Sequence, residues 1–253
     1  MTLTAGTFRD HFRAGGKAIN GWCGIPSPVT AEIHAHAGYD LLTIDMQHGL
    51  VGYADMLAML QAMSASPAPK FVRIPWNEPG IAMKALDAGA DGIICPMINS
   101  ADEARALVRA ARYAPLGARS YGPVRAGALH VDYVARSADL VQVFAMIETR
   151  EALRNRHEIM AVEGLSGIYV GPADMGLSLG YAPTLNPEAV EVLQAIGDVL
   201  AAARQAGLLA GVHCGDGAMV RAMLGQGFDF ASLATDTGLF TRALGAALAE
   251  ARG

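Results

Sequence analysis

The 253-residue chain is poor in charge, in cysteine and in aromatic residues, and each shortage excludes something. Charged residues make up 17%, and the 24 acidic outnumber the 19 basic ones, so there is no basic face of the kind that neutralises nucleic-acid phosphates. Nor is there a cationic stretch suited to a membrane surface. No apolar run reaches the ~18 residues needed to span a bilayer. Met1 to Gly15 lacks an apolar core and a cleavage site and does not read as a secretory signal. Cys23, Cys95 and Cys214 are far apart and odd in number, which argues against a disulfide frame or a zinc site and for reduced core thiols in a cytoplasmic protein. What the chain has in quantity is apolar material, 52% of its residues, enough for a large core and too much for a disordered protein.

That apolar material is repeated in a pattern. His36-Ala-Gly-Tyr-Asp40, Asp87-Ala-Gly-Ala-Asp91 and Gly225-Gln-Gly-Phe-Asp229 each precede a short apolar run. A helix closing on glycine and feeding a buried strand is the grammar of βα repetition and of a parallel sheet. Eight strands are predicted: Gly21 to Ile25, Leu41 to Met46, Phe71 to Pro75, Gly92 to Met97, Val141 to Glu148, Gly167 to Gly171, Leu209 to Cys214 and Phe230 to Thr235. Helical spacing covers Tyr53 to Ser66, Ala101 to Arg112, Val190 to Ala206 and Thr237 to Ala251. Eight such pairs in this length predict one α/β domain over residues 1–253, a (β/α)8 TIM barrel. A doubly wound sheet is the rival, but it usually has fewer strands, and no Gly-x-Gly-x-x-Gly follows the first strand. Tyr113 to Asp139 is the longest irregular stretch, either a functional loop or a solvated connection.

Barrel enzymes carry their chemistry at the carboxyl ends of strands. Polar residues gather there: Asp45 and His48 after strand two, Arg73 on strand three, Glu148 after five, Asp174 after six, His213 and Asp216 after seven, Asp236 after eight. Glu148 and Asp174 sit one βα unit apart, with no Cys or His pair beside them. Together they suit a hard divalent ion, or each caps the helix that follows. An arginine in a buried strand needs an anion, so Arg73 meets either substrate or a rim acid such as Asp45. His48 is a candidate general base, or a simple hydrogen-bond partner. Asp87 orients a histidine or forms a surface pair. Gly215-Asp216-Gly217 is a weak phosphate cradle. The remaining histidines, 11, 34, 36, 130 and 157, read as surface residues, and Cys95 and Cys214 as packing. No lysine stands at a strand end to offer a Schiff base.

Taken in order, Asp45-x-x-His48-Gly, Val72-Arg73, Pro75-Trp76-Asn77, Ala101-Asp-Glu-Ala-Arg105, Arg112-Tyr113, Ile147-Glu148-Thr-Arg-Glu151, Val162-Glu163-Gly164 and Gly171-Pro-Ala-Asp174 resemble the HpcH/HpaI aldolase family, metal-dependent class II aldolases specific for pyruvate. The resemblance implies that Glu148 and Asp174 hold a divalent metal (Mg, Mn or Co) and that His48 is the catalytic base or the residue that activates a metal-bound water. It implies that Arg73 stabilises an enolate, that Asp87 supports the histidine of a neighbouring subunit, and that Ala173 and Asp174 hold the keto-acid carboxylate through their backbone. It further implies a homo-oligomer, a hexamer, and the apolar Leu239, Leu244, Ala247 and Leu248 suit such an assembly. The expected partners are a small keto acid and an aldehyde, with no nucleic acid and no membrane.

The chain departs from the family pattern at several positions. Met146 stands where most relatives have a glutamine two residues before the metal-binding glutamate, Gln47 where an acid commonly precedes the histidine, and His213 where many relatives are aliphatic. The stretch from Tyr113 to Asp139 looks shorter than usual, with Ser120-Tyr-Gly-Pro. Met146 and His213 are therefore expected to line the substrate pocket and to favour small hydroxylated partners such as hydroxypyruvate. The alternatives are that Met146 only fills volume and His213 points into the protein. The expected activity is reversible retro-aldol cleavage of 4-hydroxy-2-oxo acids to pyruvate or hydroxypyruvate and an aldehyde. An oxaloacetate-type decarboxylase or malyl-type lyase would use the same enolate chemistry, and a catalytically silent ligand-binding barrel is the alternative from another class.

Overall fold

Eight parallel strands close on themselves in sequence order. They are β1 (Ala18–Cys23), β2 (Leu41–Asp45), β3 (Lys70–Arg73), β4 (Gly92–Cys95), β5 (Gln142–Ile147), β6 (Gly167–Val170), β7 (Leu209–Cys214) and β8 (Phe230–Leu233). The computed structural model describes residues 3–253; Met1 and Thr2, the start of the expected domain, lie outside the described residues. The outer helices have local causes. Ser100 and Glu103 form a reciprocal capping box at the head of Ala101–Ala111. Glu78 accepts from the Gly80 and Ile81 N–H groups ahead of Pro79–Asp87. Pro172 opens Pro172–Leu179, which ends on Gly180 at φ 95°.

Inside the barrel, large and small residues alternate across paired positions. Phe71 faces Gly92, Phe144 faces Gly167 and Phe230 faces Gly211 in the strand register. A Cβ on Gly167 would come within 2.3 Å of the Phe144 ring and 2.4 Å of the Leu209 carbonyl oxygen, so only glycine lets the ring lie flat against the next strand. The helix Phe8–Arg13 plugs the amino-end floor with Phe8 and Phe12, packed against Phe71 and Phe230 respectively. Burying each phenyl stabilises the floor by about 1.5–3 kcal/mol.

Two expectations are corrected here. β1 begins at Ala18 rather than Gly21, because the inward Asn20, a poor strand residue by pattern, is satisfied by Thr43 and Ser232. The stretch from Tyr113 to Asp139 is not irregular throughout. It contains the helices Ala126–Leu129 and Tyr133–Leu140, held at the amino end by side chains that local pattern does not register. Arg112 donates to the Gly164 and Val141 carbonyls, and Arg119 donates to Asp87 and the Tyr133 hydroxyl.

Candidate active site

At the carboxyl ends of the strands opens a cavity of about 310 Å³. Strand parity decides what lines it. Trp22, Asp45, Arg73, Met146, Tyr169 and His213 all stand at inward positions near strand ends, while His48, Ala173 and Asp174 come from the loops and helix above.

Arg73 and Asp45 are register partners on adjacent strands and meet side by side. Arg73 Nε and Nη2 donate to the two Asp45 oxygens at 2.8 and 2.6 Å. Asp45 also accepts from Trp22 Nε1 and from the Gln47 and His48 N–H groups, which sets the turn that carries His48 to the rim. Burial alone would raise the Asp45 carboxyl, but the Arg73 bonds outweigh it and hold the group below its ordinary value. The guanidinium also lies 4.9 Å from the Trp22 ring centroid. Arg73 is thus paired with the rim acid Asp45, and it also lines the cavity.

Glu148 is 1% exposed and does not cap the next helix, a task that Thr149 performs. Its Oε1 accepts from the Met97 N–H at 2.8 Å, delivered by a non-glycine residue at φ 56°. Its Oε2 is buried without a partner. Burial raises this carboxyl to about 7; the Met97 N–H opposes the rise and nearby Asp174 adds to it. Asp174, in the first turn of Pro172–Leu179, makes no side-chain cap either. Gly171 lies against Glu148: a Cβ there would come within 2.3 Å of Oε2. A buried oxygen with no donor, beside a second uncommitted carboxylate, is the environment that a hard divalent cation satisfies. Among the described residues no group of three or more His, Cys, Asp or Glu side chains gathers for a metal; Glu148 and Asp174 are a candidate pair on the cavity because of that oxygen.

Residues 21–243 match the model of the HpcH/HpaI aldolase/citrate lyase family. The chain belongs to that family. It is 41% identical to a hydroxypyruvate/pyruvate aldolase of Rhizorhabdus wittichii, over 96% of this chain and 98% of that protein. It is 37% identical to a 4-hydroxy-2-oxo-heptane-1,7-dioate aldolase of Klebsiella pneumoniae, over 93% and 89%. In structure it resembles an HpcH/HpaI aldolase/citrate lyase family protein from Burkholderia cenocepacia, with a TM-score of 0.90, 33% identity and coverage of 98% and 100%.

Within this family barrel, most of the sequence candidates converge and a few do not. His48, Arg73, Asp45, Glu148, Asp174, Ala173, Met146 and His213 all line the one cavity. Asp87 does not line it. It ends a helix that starts at the rim and runs to the opposite face, where it pairs with Arg119 at 2.6 Å. Asp216 caps the helix Gly217–Gln226 and binds Asn186, so Gly215-Asp216-Gly217 is a capping turn and not a phosphate cradle. Asp236 accepts from the Gly24 and Ile25 N–H groups and fastens the end of β8 to the loop after β1. Sequence reasoning missed Trp22 and Tyr169. The parity of Tyr169 with Gly171, two residues on, is the signal that would have found it.

Proposed function

We propose that the protein is a divalent-metal-dependent aldehyde-lyase, cleaving 4-hydroxy-2-oxo acids reversibly to pyruvate or hydroxypyruvate and an aldehyde. The observation that carries this reading is the pairing of an unsatisfied buried Glu148 oxygen and a free Asp174 with the fixed Arg73 cation on one small cavity. Similarity to two aldolases over nearly the whole chain supports it.

In this reading Glu148 and Asp174 hold Mg, Mn or Co, which when bound supplies Lewis-acid stabilisation of a keto-acid enolate. Arg73, locked by Asp45, offers a preorganised cation where negative charge develops on the substrate oxygen. His48, exposed on the rim, takes the proton from the 4-hydroxyl during cleavage and returns it in the reverse direction. The Ala173 and Asp174 backbone at the head of Pro172–Leu179 receives the carboxylate, as helix N-termini do. Met146 closes one side of the cavity with a flexible apolar wall.

The proposed domain is the whole chain, 1–253, and the proposed location is the cytoplasm, supported by three free, buried cysteines. No helix among the described residues is long and apolar enough to cross a membrane. We further propose a homo-oligomer, a hexamer in which Asp87 serves a neighbouring subunit's histidine. Phe240, Leu244 and Leu248 stand 60%, 49% and 53% exposed along the helix Asp236–Arg252, an apolar stripe suited to a second copy. The deciding experiment is turnover of pyruvate or hydroxypyruvate with an aldehyde panel, before and after exhaustive chelation. Activity lost on chelation, regained with Mn²⁺ and absent in Glu148→Gln is the expected result. Full activity in chelated enzyme sinks the metal reading, and turnover of oxaloacetate alone sinks the aldolase reading.

A further inference from the structure

Beneath the charged rim, the barrel interior holds a run of uncharged groups bonded in series. Asn20 Nδ2 donates to Thr43 Oγ1 at 2.9 Å and to Ser232 Oγ at 2.7 Å, and Thr43 Oγ1 donates back to Asn20 Oδ1 at 3.1 Å. Ser232 Oγ lies 2.6 Å from the Tyr169 hydroxyl, which lies 3.1 Å from His213 Nδ1. Asn20, Thr43, Ser232 and Tyr169 have no measurable exposure. None of them can therefore turn to water for a partner.

Counting protons gives the run a direction. In the orientation described, both Asn20 N–H groups and its carbonyl are used. Turned over, the amide would leave one N–H with no acceptor in a sealed interior, which costs its full desolvation. Ser232 Oγ thus receives a proton from Asn20, and its own proton has Tyr169 Oη as its only hydrogen-bond partner among the described residues. The Tyr169 proton is then left for His213 Nδ1. An imidazole that accepts at Nδ1 carries its proton on Nε2. Among the described residues that nitrogen has no hydrogen-bond partner and is not one of the sealed polar atoms, and His213 lines the cavity.

We propose that Tyr169 is a positioning residue that fixes His213 as the Nε2–H tautomer, and that this N–H binds an uncharged hydroxyl or carbonyl oxygen of the substrate, favouring hydroxylated keto acids over pyruvate. This rests on the aldolase reading above and gives it a specificity element. The ring cannot pivot, because Trp22 packs edge-on against His213 at 4.7 Å and stacks on Tyr169 at 5.5 Å. It is also not a cation. Burial, with the charge of Arg73, pushes the imidazole down to about 3. Arg73 already serves anionic groups, so what His213 adds is a neutral, aimed donor.

The test uses the purified enzyme with Mg²⁺ and ¹⁵N-labelled histidine, His213 being assigned by the signal lost in His213→Gln. The wild type is expected to give the pure Nε2–H signature, and Tyr169→Phe a mixture of tautomers. Ser232→Ala, which does not line the cavity, leaves His213 Nδ1 as the remaining acceptor for the Tyr169 proton and is expected to keep the Nε2–H signature. An Nδ1–H signature in the wild type, or no change in Tyr169→Phe, overturns the positioning role. In kinetics, the hydroxypyruvate-to-pyruvate ratio of kcat/KM is expected to fall about tenfold in His213→Leu and less in Tyr169→Phe, the loss of one hydrogen bond. An unchanged ratio in both overturns the specificity role. If the wild type turns over neither donor, the aldolase reading fails while the spectrum still decides the tautomer. Perturbation of the Nε2–H signal by hydroxypyruvate but not pyruvate then decides the contact.

Discussion

Asp45→Asn keeps the shape of the side chain and removes its charge, and its consequences follow from the geometry. Arg73 loses the anion that receives its Nε and Nη2, and both side chains are nearly sealed, at 11% and 4% exposure. An asparagine presents one oxygen and an NH₂ to a guanidinium that has only donors, so one bond turns into a repulsive contact. Breaking a buried pair from one side costs about 3–5 kcal/mol, because the remaining charge is left uncompensated. The lower end, about 3 kcal/mol, is expected here, since Glu148 also favours the Arg73 charge. Urea unfolding at neutral pH measures it as a fall in midpoint at constant slope. The double variant Asp45→Asn with Arg73→Met removes both charges together while leaving an amide oxygen for the Gln47 and His48 N–H groups, and is expected to recover most of that stability while abolishing turnover. The paired outcome separates a pair kept for chemistry from one kept for folding. A cost below about 1 kcal/mol for Asp45→Asn, or a double variant no more stable than the single, would refute the argument.

Three further outcomes are expected. Gly171→Ala puts a Cβ 2.3 Å from Glu148 Oε2 and 3.1 Å from Met146 Cε, so the carboxylate must move and Mn²⁺ affinity by calorimetry should fall at least about tenfold in a folded protein; unchanged affinity counts against Glu148 as a ligand. Gly167→Ala meets the Leu209 carbonyl at 2.4 Å, which is backbone and cannot rotate away, so it should destabilise by about 1–3 kcal/mol or more in urea, whereas Gly225→Ala, with open space around it, should not. His213 stays neutral in the fold down to about 3, while the unfolded chain takes up a proton near 6.5. Its contribution is thus complete above 6.5 and is lost as pH falls towards 3, amounting to about 2 kcal/mol by pH 5. His213→Gln should flatten the stability–pH curve by that amount between pH 7.5 and 5, and parallel curves would show that the imidazole is solvated.

How much was legible depends on where each residue's reason lies. The eight strands could be read because the core-facing runs are short and apolar, as in Leu41–Asp45 and Gly92–Cys95. The start of β1 is not legible because Asn20 is polar and inward, and its partners lie 23 and 212 positions away. The helix Tyr133–Leu140 is not legible in sequence because its anchor is Arg119, bonded to the Tyr133 hydroxyl and to Asp87 across 32 residues. In the site, Glu148 and Asp174 were legible from their strand-end positions. Asp216 and Asp236 have the same signature, yet Asp236 spends both oxygens on backbone N–H groups and Asp216 spends one on the Met219 N–H and the other on the Asn186 amide. Sequence position cannot tell a carboxylate that caps from one left free. The Met97 N–H that receives Glu148 depends on a backbone at φ 56°, which no residue type announces.

The barrel interior is graded along its axis, and the grading accounts for how so many polar groups can be buried in it. At the amino end, Phe8, Phe12, Phe71, Phe144 and Phe230 make an apolar floor. Above it, Asn20, Thr43, Ser232 and the Tyr169 hydroxyl satisfy one another, so each polar atom loses water and gains a protein partner. At the carboxyl end the charged pair of Arg73 and Asp45 comes last, where the cavity readmits solvent and substrate. Reversing the order would put the ion pair against phenyl rings, where desolvation exceeds its Coulombic gain. The neutral layer therefore separates the charges from the floor and fixes the Tyr169 and His213 orientations beside them. Among the described residues, Glu148 Oε2 is the one carboxylate oxygen on this cavity that is buried with no partner. It lies at the end of the gradient, on the cavity rim, and is the oxygen that the proposed metal would meet.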